Sequence, residues 1–178
     1  MKAYRENVRR QAVEIGRNPD DIKVLFLAHP IIDVSMEAAR ERLRMEEIEA
    51  EQHLDLHLSG MSRLTGIDFS KFDLDTPLPE LTTNGHQSSL AKWIGKTPRA
   101  ILQSYSRKGG IDFTGTADHV AGMMQEIMEE VGGDGFLIFN SYFDRRYVIE
   151  VCDGLVPELQ RRGVTRKAYA HRHFRDNL

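Results

Sequence analysis

The feature that constrains the fold most is a helix, a tight turn and a strand that follow one another between residues 116 and 139. Thr116 is placed to cap the helix, and Gly132-Gly133 ends it. The apolar residues of this helix recur at helical spacing and are Val120, Met123, Met124, Ile127, Met128 and Val131. The apolar run 136–139 then predicts a buried strand. Helix, turn and buried strand form half of a parallel α/β repeat, so the sequence predicts an α/β fold.

Strands are also predicted at 22–27 and at 111–113. The first of these runs is apolar throughout instead of alternating, which indicates a parallel strand that is covered on both faces. A helix over 3–15 precedes it and ends at Gly16. The N-terminal part of the chain is therefore also interpreted as a helix followed by a strand.

The rest of the chain is predicted to consist of helices and loops. Residues 60–81 are expected to form a loop, because the two prolines at positions 77 and 79 remove backbone donors and fix φ. Pro157 is expected to kink or divide the last helix for the same reason. No linker or internal repeat is evident, so a single domain over 1–178 is predicted. The predicted helices run from Ser35 to about 57, over 88–95, from Pro98 to about 105 or 107, and over 147–162.

Composition and charge exclude several classes of protein. The chain carries 24 Lys and Arg against 27 Asp and Glu, and this net charge of −3 argues against a dedicated nucleic-acid binder. No apolar run approaches the roughly 20 residues that span a bilayer, and the N-terminus lacks the apolar core of a signal peptide. The single cysteine, Cys152, lies among apolar residues of a predicted helix, which indicates a structural role. We therefore expect a cytoplasmic protein that binds neither nucleic acid nor membrane.

A polar cluster at residues 84–88 is one candidate for a functional site. It follows the proline-containing loop, and loops of this kind often cover active sites. His86 can exchange protons near neutral pH, and Gln87 can hydrogen-bond a polar group of a substrate. The alternative interpretation is a solvent-exposed turn. His86 and Gln87 are thus predicted to be substrate-contacting residues of a lid.

A second candidate follows the best-defined strand. Asn140, Ser141 and Tyr142 come directly after the run 136–139. Ligands of parallel α/β folds bind beyond the carboxyl ends of the strands, which makes Asn140 and Tyr142 candidates for cofactor binding. An ordinary loop between strand and helix is the alternative.

Metal binding is not predicted. His53 and His57 lie four residues apart on a predicted helix, so both side chains can face one side of it. No third ligand follows at a spacing that is typical of zinc sites, and no glutamate stands where a metalloprotease helix needs its base. A solvated helix face is the favoured interpretation.

Several segments, in order along the whole chain, resemble the C-terminal part of bacterial luciferase-like flavin monooxygenases. The similar group is that of nitrilotriacetate monooxygenase, pristinamycin synthase and dibenzothiophene sulfone monooxygenase. The segments are Gly16-Arg17-Asn18-Pro19-Asp20-Asp21-Ile22-Lys23-Val24, Pro77-Leu78-Pro79-Glu80-Leu81 with Gln87-Ser88, Gly115-Thr116-Ala117-Asp118-His119-Val120-Ala121, Asp134-Gly135-Phe136, and Leu155-Val156-Pro157-Glu158-Leu159-Gln160-Arg161-Arg162-Gly163.

The resemblance implies a (β/α)₈ TIM barrel that binds reduced FMN. It further implies a two-component system, in which a separate NAD(P)H-dependent flavin reductase supplies the reduced FMN. O₂ would be the co-substrate, and a small organic molecule would be oxygenated. No catalytic residue of the family is carried over to a position of this sequence.

The chain departs from the family in its length. A barrel of this type takes about 250 residues, and two or three parallel strands cannot close one. The chain is therefore expected to be a C-terminal portion of the barrel, incomplete by itself, with a lid-like insertion at about 58–96. It would then depend on self-association or on the missing N-terminal half. The alternative function is an inactive remnant or an interaction module that lacks the flavin site.

Overall fold

The computed structural model describes residues 1–105, 111–140 and 144–177, in which helices and strands follow one another as expected of an α/β fold. The strands are β1 (Phe26–Ala28), β2 (Ile31–Ile32), β3 (Thr114–Gly115) and β4 (Phe136–Ile138). The α-helices are α1 (Lys2–Glu14), α2 (Met36–Gln52), α3 (Leu54–Thr65), α4 (Gln87–Trp93), α5 (Pro98–Tyr105), α6 (Ala117–Val131), α7 (Arg145–Ile149) and α8 (Val156–Arg161). Short 3₁₀ helices occur at Pro19–Asp21, Phe69–Lys71 and Phe174–Asn177.

The chain divides into two compact units. The first unit contains Met1–Arg42 and Phe113–Leu178, and the second contains Leu43–Asp112. The single domain over 1–178 stays a prediction, as does the lid-like role of 58–96, a segment that lies within the second unit. In the part of the chain that is described, no helix combines the length and the apolar composition needed to cross a membrane.

The strands of the first unit form two parallel pairs. β1 pairs with β4, with Leu27 opposite Leu137, and β2 pairs with β3, with Ile31 opposite Thr114. The predicted parallel arrangement is therefore confirmed. The predicted bounds 22–27 are wrong for β1, because the backbone N–H of Val24 donates to the Asp134 carboxylate at 2.8 Å instead of to a neighbouring strand.

The other strand predictions also need correction. β3 begins at Thr114, after the predicted 111–113, although the carbonyl oxygen of Phe113 does accept a hydrogen bond from the N–H of Ile31 at 2.9 Å. β2 was not predicted, because His29 and Pro30 interrupt the apolar run before it. The described strands do not close a barrel, as predicted for an incomplete one.

Within the described ranges, one face of the β1–β4 pair is covered and the other is open. Ala28, Phe136 and Ile138 pack against α6, whose fully buried Val120 and Met124 belong to the core of the first unit. The opposite face carries Leu27, which is 71% exposed. The prediction that this strand is covered on both faces is therefore wrong.

Helix α6 forms as its sequence predicts. The Thr116 hydroxyl accepts a hydrogen bond from the N–H of His119 at 3.3 Å, and Gly132 ends the helix with a φ of 63°, a conformation that favours glycine. The apolar stripe faces the core, where Val120, Ala121 and Met124 are buried. The local signals at both ends of this helix were sufficient to predict it.

We expect Thr116→Ala to lower the free energy of unfolding by about 1 kcal/mol, because the substitution removes the hydroxyl that caps α6. Thr116→Ser keeps the hydroxyl and is the matched control. Urea unfolding followed by circular dichroism measures both changes. Equal losses of stability in the two variants would contradict the capping role.

The last helical segment is divided, as predicted, but the division begins before Pro157. A π-helical turn at Glu150–Leu155 separates α7 from α8, and Pro157 lies in the first turn of α8. Pro157 has no N–H to donate to a carbonyl of the preceding turn, which favours wider helical geometry there. Cys152 lies in the π-helical turn and is exposed, so burial does not support the structural role that was predicted for it.

In the second unit, α3 replaces part of a predicted loop. A single helix to about residue 57 was predicted, but α2 ends at Gln52 and α3 runs to Thr65. The predicted loop over 60–81 is thus wrong for its first six residues. The predicted short helix and the helix that opens at Pro98 are confirmed as α4 and α5. The core of this unit consists of Met61, Phe69, Leu78, Leu90, Trp93 and Ile101.

Candidate functional site

The carboxyl ends of β1 and β4 bring two rings together. Because these strands are parallel, the residues that follow them lie at one edge of the sheet. His29 follows β1 and Phe139 follows β4, and their ring centroids are 6.1 Å apart at an interplanar angle of 78°. Phe139 is half exposed. An aromatic surface therefore forms where ligands of parallel α/β folds bind.

Tyr147 holds this aromatic pair in place. Its side chain is buried, and its hydroxyl donates a hydrogen bond to the carbonyl oxygen of Phe139 at 3.2 Å. Its ring centroid lies 6.1 Å from that of His29. The Asp144 carboxylate, which caps α7, accepts a hydrogen bond from the N–H of Tyr147 at 2.7 Å. The tyrosine thus connects the start of α7 to the ends of both strands.

Four charged side chains form a network at the carboxyl end of β2. Arg146 is 2.9 Å from Asp33 and 2.6 Å from Glu150, and Arg42 is 2.6 Å from Glu150. Arg42 also donates to the carbonyl oxygen of Ile32 at 3.2 Å. The hydrogen bond and charge of Glu150 raise the pKa of Arg146 above its ordinary value. The network contains two cations and two carboxylates, so its charges balance.

The chemistry of this edge fits one part of a flavin. The aromatic surface of His29 and Phe139 suits a planar conjugated ring, because such rings stack on one another or meet edge to face. A flavin phosphate needs cations or backbone N–H groups, and Arg42 and Arg146 are already paired with carboxylates. The edge therefore fits the ring system, and groups other than Arg42 and Arg146 would have to hold the phosphate.

One of the two predicted cofactor-binding residues, Asn140, lies within the described residues. Asn140 follows Phe139, two residues past β4, so it occupies the strand end from which its role was inferred. Tyr142 lies outside the described residues. The rings and charges of this edge were missed, although His29 directly follows an apolar run and could have been noted on that ground.

The predicted lid residues lie in the second unit, at the start of α4. His86 caps this helix, and its Nδ1 accepts a hydrogen bond from the N–H of Ser89 at 3.3 Å. The side-chain amide of Gln87 donates to the carbonyl oxygen of Thr83 at 3.3 Å. Both side chains are exposed. The structure thus gives each a local hydrogen bond, and their contact with substrate stays a prediction.

An open cleft of about 570 Å³ lies immediately before these residues. Its rim is fixed by hydrogen bonds in which Thr83 donates to the carbonyl oxygen of Thr65 and the N–H of His86 donates to that of Leu64. The lining includes a guanidinium, an amide and hydroxyls, of which those of Thr65 and Thr83 already donate to backbone carbonyl oxygens. The lining residues are Arg63, Leu64, Thr65, Gly66, Ile67, Thr82, Thr83, Asn84 and Gly85.

Gly85 allows the close approach that shapes this cleft. A Cβ at this position would lie 2.8 Å from backbone atoms of Thr65 and 2.9 Å from the carbonyl oxygen of Leu64. We expect Gly85→Ala to lower the free energy of unfolding by about 1–3 kcal/mol, because backbone must shift to accept the methyl group. Urea unfolding followed by the fluorescence of Trp93 measures the change.

Gly60→Ala is the matched control. Gly60 lies inside α3, and no atom would lie within 4 Å of an added Cβ. This substitution is expected to raise stability by about 0.5–1 kcal/mol, because alanine favours the helix. If Gly85→Ala were as stable as wild type, the close approach of residue 85 to the backbone of Leu64 and Thr65 would not require glycine.

Residues 1–105, 111–140 and 144–177 contain no cluster of three or more His, Cys, Asp or Glu side chains that could hold a metal ion. His53 is exposed and precedes α3, whereas His57 lies within α3. The buried Nε2 of His57 has no hydrogen-bond partner. The two histidines therefore do not lie on one face of a single helix, as the sequence suggested, because α3 begins between them.

Comparison with known proteins identifies relatives along the whole chain. No family model matches. Dibenzothiophene-sulfone monooxygenase of Rhodococcus erythropolis is 27% identical over 190 residues, covering 100% of this chain and 41% of that protein. Nitrilotriacetate monooxygenase component A of Aminobacter aminovorans is 30% identical over 187 residues, covering 99% and 41%. A crystal structure of riboflavin lyase, with modified FMN and riboflavin, matches with a TM-score of 0.74 and 27% identity, over 97% of this chain and 38% of that one.

These matches define the class of protein. The fold is α/β, part of a TIM barrel that the described strands leave incomplete, as predicted. The chain is a relative of the luciferase-like monooxygenases, and the predicted resemblance is confirmed. It spans about two fifths of the length of the curated relatives that it matches.

Proposed function

We propose that this chain is part of a flavin-dependent monooxygenase of the two-component type, which oxygenates a small organic substrate with O₂. The observation that carries the proposal is its match, over 99% and 100% of its length, to two monooxygenases. One of these is named component A of its system, which supports a separate NAD(P)H-dependent flavin reductase as partner. Flavin use is supported by the FMN and riboflavin named with the riboflavin lyase structure.

The proposed roles of the chain's own residues follow from their positions. His29 and Phe139 present an aromatic surface to the flavin ring system, and Tyr147 orients that surface. Asn140 and Tyr142 are proposed to hydrogen-bond the flavin. His86 and Gln87 are proposed to contact substrate from the lid-like insertion at about 58–96. Reduced FMN, when bound, supplies the electrons with which O₂ is activated.

Two further properties belong to the same proposal. We place the protein in the cytoplasm, where a flavin reductase would supply reduced FMN. We also propose that the chain is a truncated portion of the enzyme, because it spans only about two fifths of its relatives. Activity would then require the remaining portion of the barrel.

An inactive remnant or an interaction module is the second candidate. The exposed sheet face around Leu27 favours it, because such a face needs a partner whether or not chemistry takes place. This candidate predicts no affinity for reduced FMN even after the barrel is completed.

A chimera tests the proposed function. This chain would replace the matching 41% of nitrilotriacetate monooxygenase component A. The chimera would then be supplied with a flavin reductase, FMN, NADH, O₂ and nitrilotriacetate. We expect nitrilotriacetate to be consumed only when reductase and FMN are both present. A folded chimera that consumes NADH and O₂ without consuming nitrilotriacetate would contradict the proposal and favour the interaction module.

A further inference from the structure

The cleft of the second unit has a wall that is fixed by its own hydrogen bonds. The hydroxyl of the buried Thr65 donates to the carbonyl oxygen of Met61 at 2.9 Å. The Thr83 hydroxyl donates to the carbonyl oxygen of Thr65 and accepts a hydrogen bond from the N–H of Gly85 at 2.8 Å. Both sides of the cleft are thus held in one arrangement, which lowers the entropic cost of ordering them around a ligand.

Three polar side chains of the lining take no part in this wall. Within the part of the chain that the structure describes, the Arg63 guanidinium forms no ion pair, and the Asn84 amide and the Thr82 hydroxyl form no hydrogen bond. All three residues are exposed. The cleft therefore presents a cation, an amide and a hydroxyl that a ligand can use.

Apolar surface lies beside these polar groups. Leu64 is 40% exposed and Ile67 is half-buried, and both line the cleft. The volume of about 570 Å³ falls within the range of roughly 300–1,000 Å³ that is usual for small-molecule sites. Apolar side chains with a few convergent polar groups are the composition that such sites have. The cleft therefore fits a small organic molecule with one polar end.

The charges around the cleft favour a ligand with a single negative charge. Among the lining residues that the structure describes, Arg63 is the single charged one. The nearby Asp68 is outside the lining and pairs with Lys71 at 3.4 Å. α3 ends at Thr65, and the carboxyl end of a helix carries partial negative charge, which disfavours a phosphate dianion more than a carboxylate. A carboxylate can also accept two parallel hydrogen bonds from one guanidinium.

We propose that this cleft is a binding site for a small organic monocarboxylate. The carboxylate pairs with Arg63, the Asn84 amide and the Thr82 hydroxyl donate to its oxygens, and the apolar body of the ligand rests on Leu64 and Ile67. The inference goes beyond the proposed function, because it concerns the second unit alone and requires neither flavin nor O₂.

Benzoate is a suitable probe, because its carboxylate is joined directly to an apolar ring. Benzamide has nearly the same shape without the charge, and inorganic phosphate has charge without an apolar body. Each compound is titrated into the full chain, and the NMR signals of the Gly66 and Gly85 amides, which lie in the lining, are followed. We expect saturable shifts with benzoate and at least about tenfold weaker binding of benzamide and of phosphate.

Substitutions at Arg63 test the role of the cation. We expect Arg63→Gln to weaken benzoate binding at least about tenfold, because it removes a charged hydrogen-bond donor. Arg63→Lys keeps the charge without the paired donors, so its loss of affinity should be smaller. Arg17→Gln, at an exposed position of the first unit, is the matched control and should leave the affinity unchanged. Urea unfolding followed by Trp93 fluorescence shows whether each variant is folded.

Four results would overturn the proposal. The cleft would not be a carboxylate site if the folded chain showed no saturable shifts with benzoate. Equal binding of benzamide would show that the charge is not recognised, and phosphate binding as tight as that of benzoate would indicate a general anion site. Unchanged affinity in Arg63→Gln would leave Arg63 only the role of a cation that stabilises the last turn of α3. Because no flavin is present, none of these results depends on whether the proposed function is correct.

Discussion

Replacing Phe69 by alanine is expected to lower the free energy of unfolding of the second unit by about 3–5 kcal/mol. Phe69 is fully buried at the centre of that unit's core. Its ring centroid lies 5.8 Å from that of Trp93 in an edge-to-face arrangement and 5.6 Å from that of Phe72. The substitution therefore removes apolar burial and two aromatic contacts, and it leaves a cavity.

The single tryptophan makes this prediction measurable. Trp93 is itself buried in the same core, so its fluorescence reports the unfolding of the second unit in urea. Phe174→Ala is the matched control, because Phe174 is exposed and its loss should change stability by less than about 0.5 kcal/mol. If Phe69→Ala and Phe174→Ala unfolded at similar urea concentrations, the assignment of Phe69 to the core would be contradicted.

The same experiment tests the predicted single domain. Far-ultraviolet circular dichroism reports the helices of both units, whereas Trp93 reports the second unit alone. A single cooperative domain requires both signals to move together when Phe69 is replaced. A fluorescence transition that moves while most of the dichroism transition stays would show two independently unfolding units.

Replacing Glu150 by glutamine is expected to lower the free energy of unfolding by about 3 kcal/mol. Glu150 accepts charged hydrogen bonds from Arg42 and Arg146, both at 2.6 Å. The side chains of Arg42 and Glu150 are only 18% and 15% exposed. Loss of the carboxylate charge removes the negative charge that Glu150 places 2.6 Å from the largely buried guanidinium of Arg42, and the desolvation of that guanidinium is the source of the cost.

Glu158→Gln is the matched control for this substitution. Glu158 pairs with Arg161 at the surface, where the Arg161 side chain is 62% exposed and that of Glu158 is 29% exposed, so the pair contributes at most about 1 kcal/mol. Thermal unfolding of both variants gives the comparison. Equal effects would show that the network at the carboxyl end of β2 is no more than a set of surface ion pairs.

Short-range signals in the sequence explain which elements of the fold could be predicted. Helix α6 and strand β4 were predicted because a capping threonine, a regular apolar stripe and two glycines lie within a short stretch of chain. The end of α3 was missed because the loop predicted from the two prolines at positions 77 and 79 was extended back to residue 60, although Leu54, Leu58 and Met61 recur at helical spacing. Its apolar face packs in the second core, which offsets the cost of one glycine.

The candidate site was harder to predict because its residues come together only when two distant strands pair in the correct register. Asn140 could be proposed from its position after an apolar run alone. The pairing of His29 with Phe139 depends on the alignment of two strands more than 100 residues apart in the chain. The ion pair between Asp33 and Arg146 has the same origin. Contacts of this range leave no periodic signal in a sequence.

We propose that this chain contributes to a flavin site that is complete only with the rest of the barrel. Anaerobic titration of this chain and of the chimera with reduced FMN, followed by flavin fluorescence, measures whether each binds flavin. We expect saturable binding by the chimera, weakened by Phe139→Ala and unaffected by Phe174→Ala, and no saturable binding by the folded chain alone. Saturable binding by the chain alone, or none by a folded chimera, would contradict it.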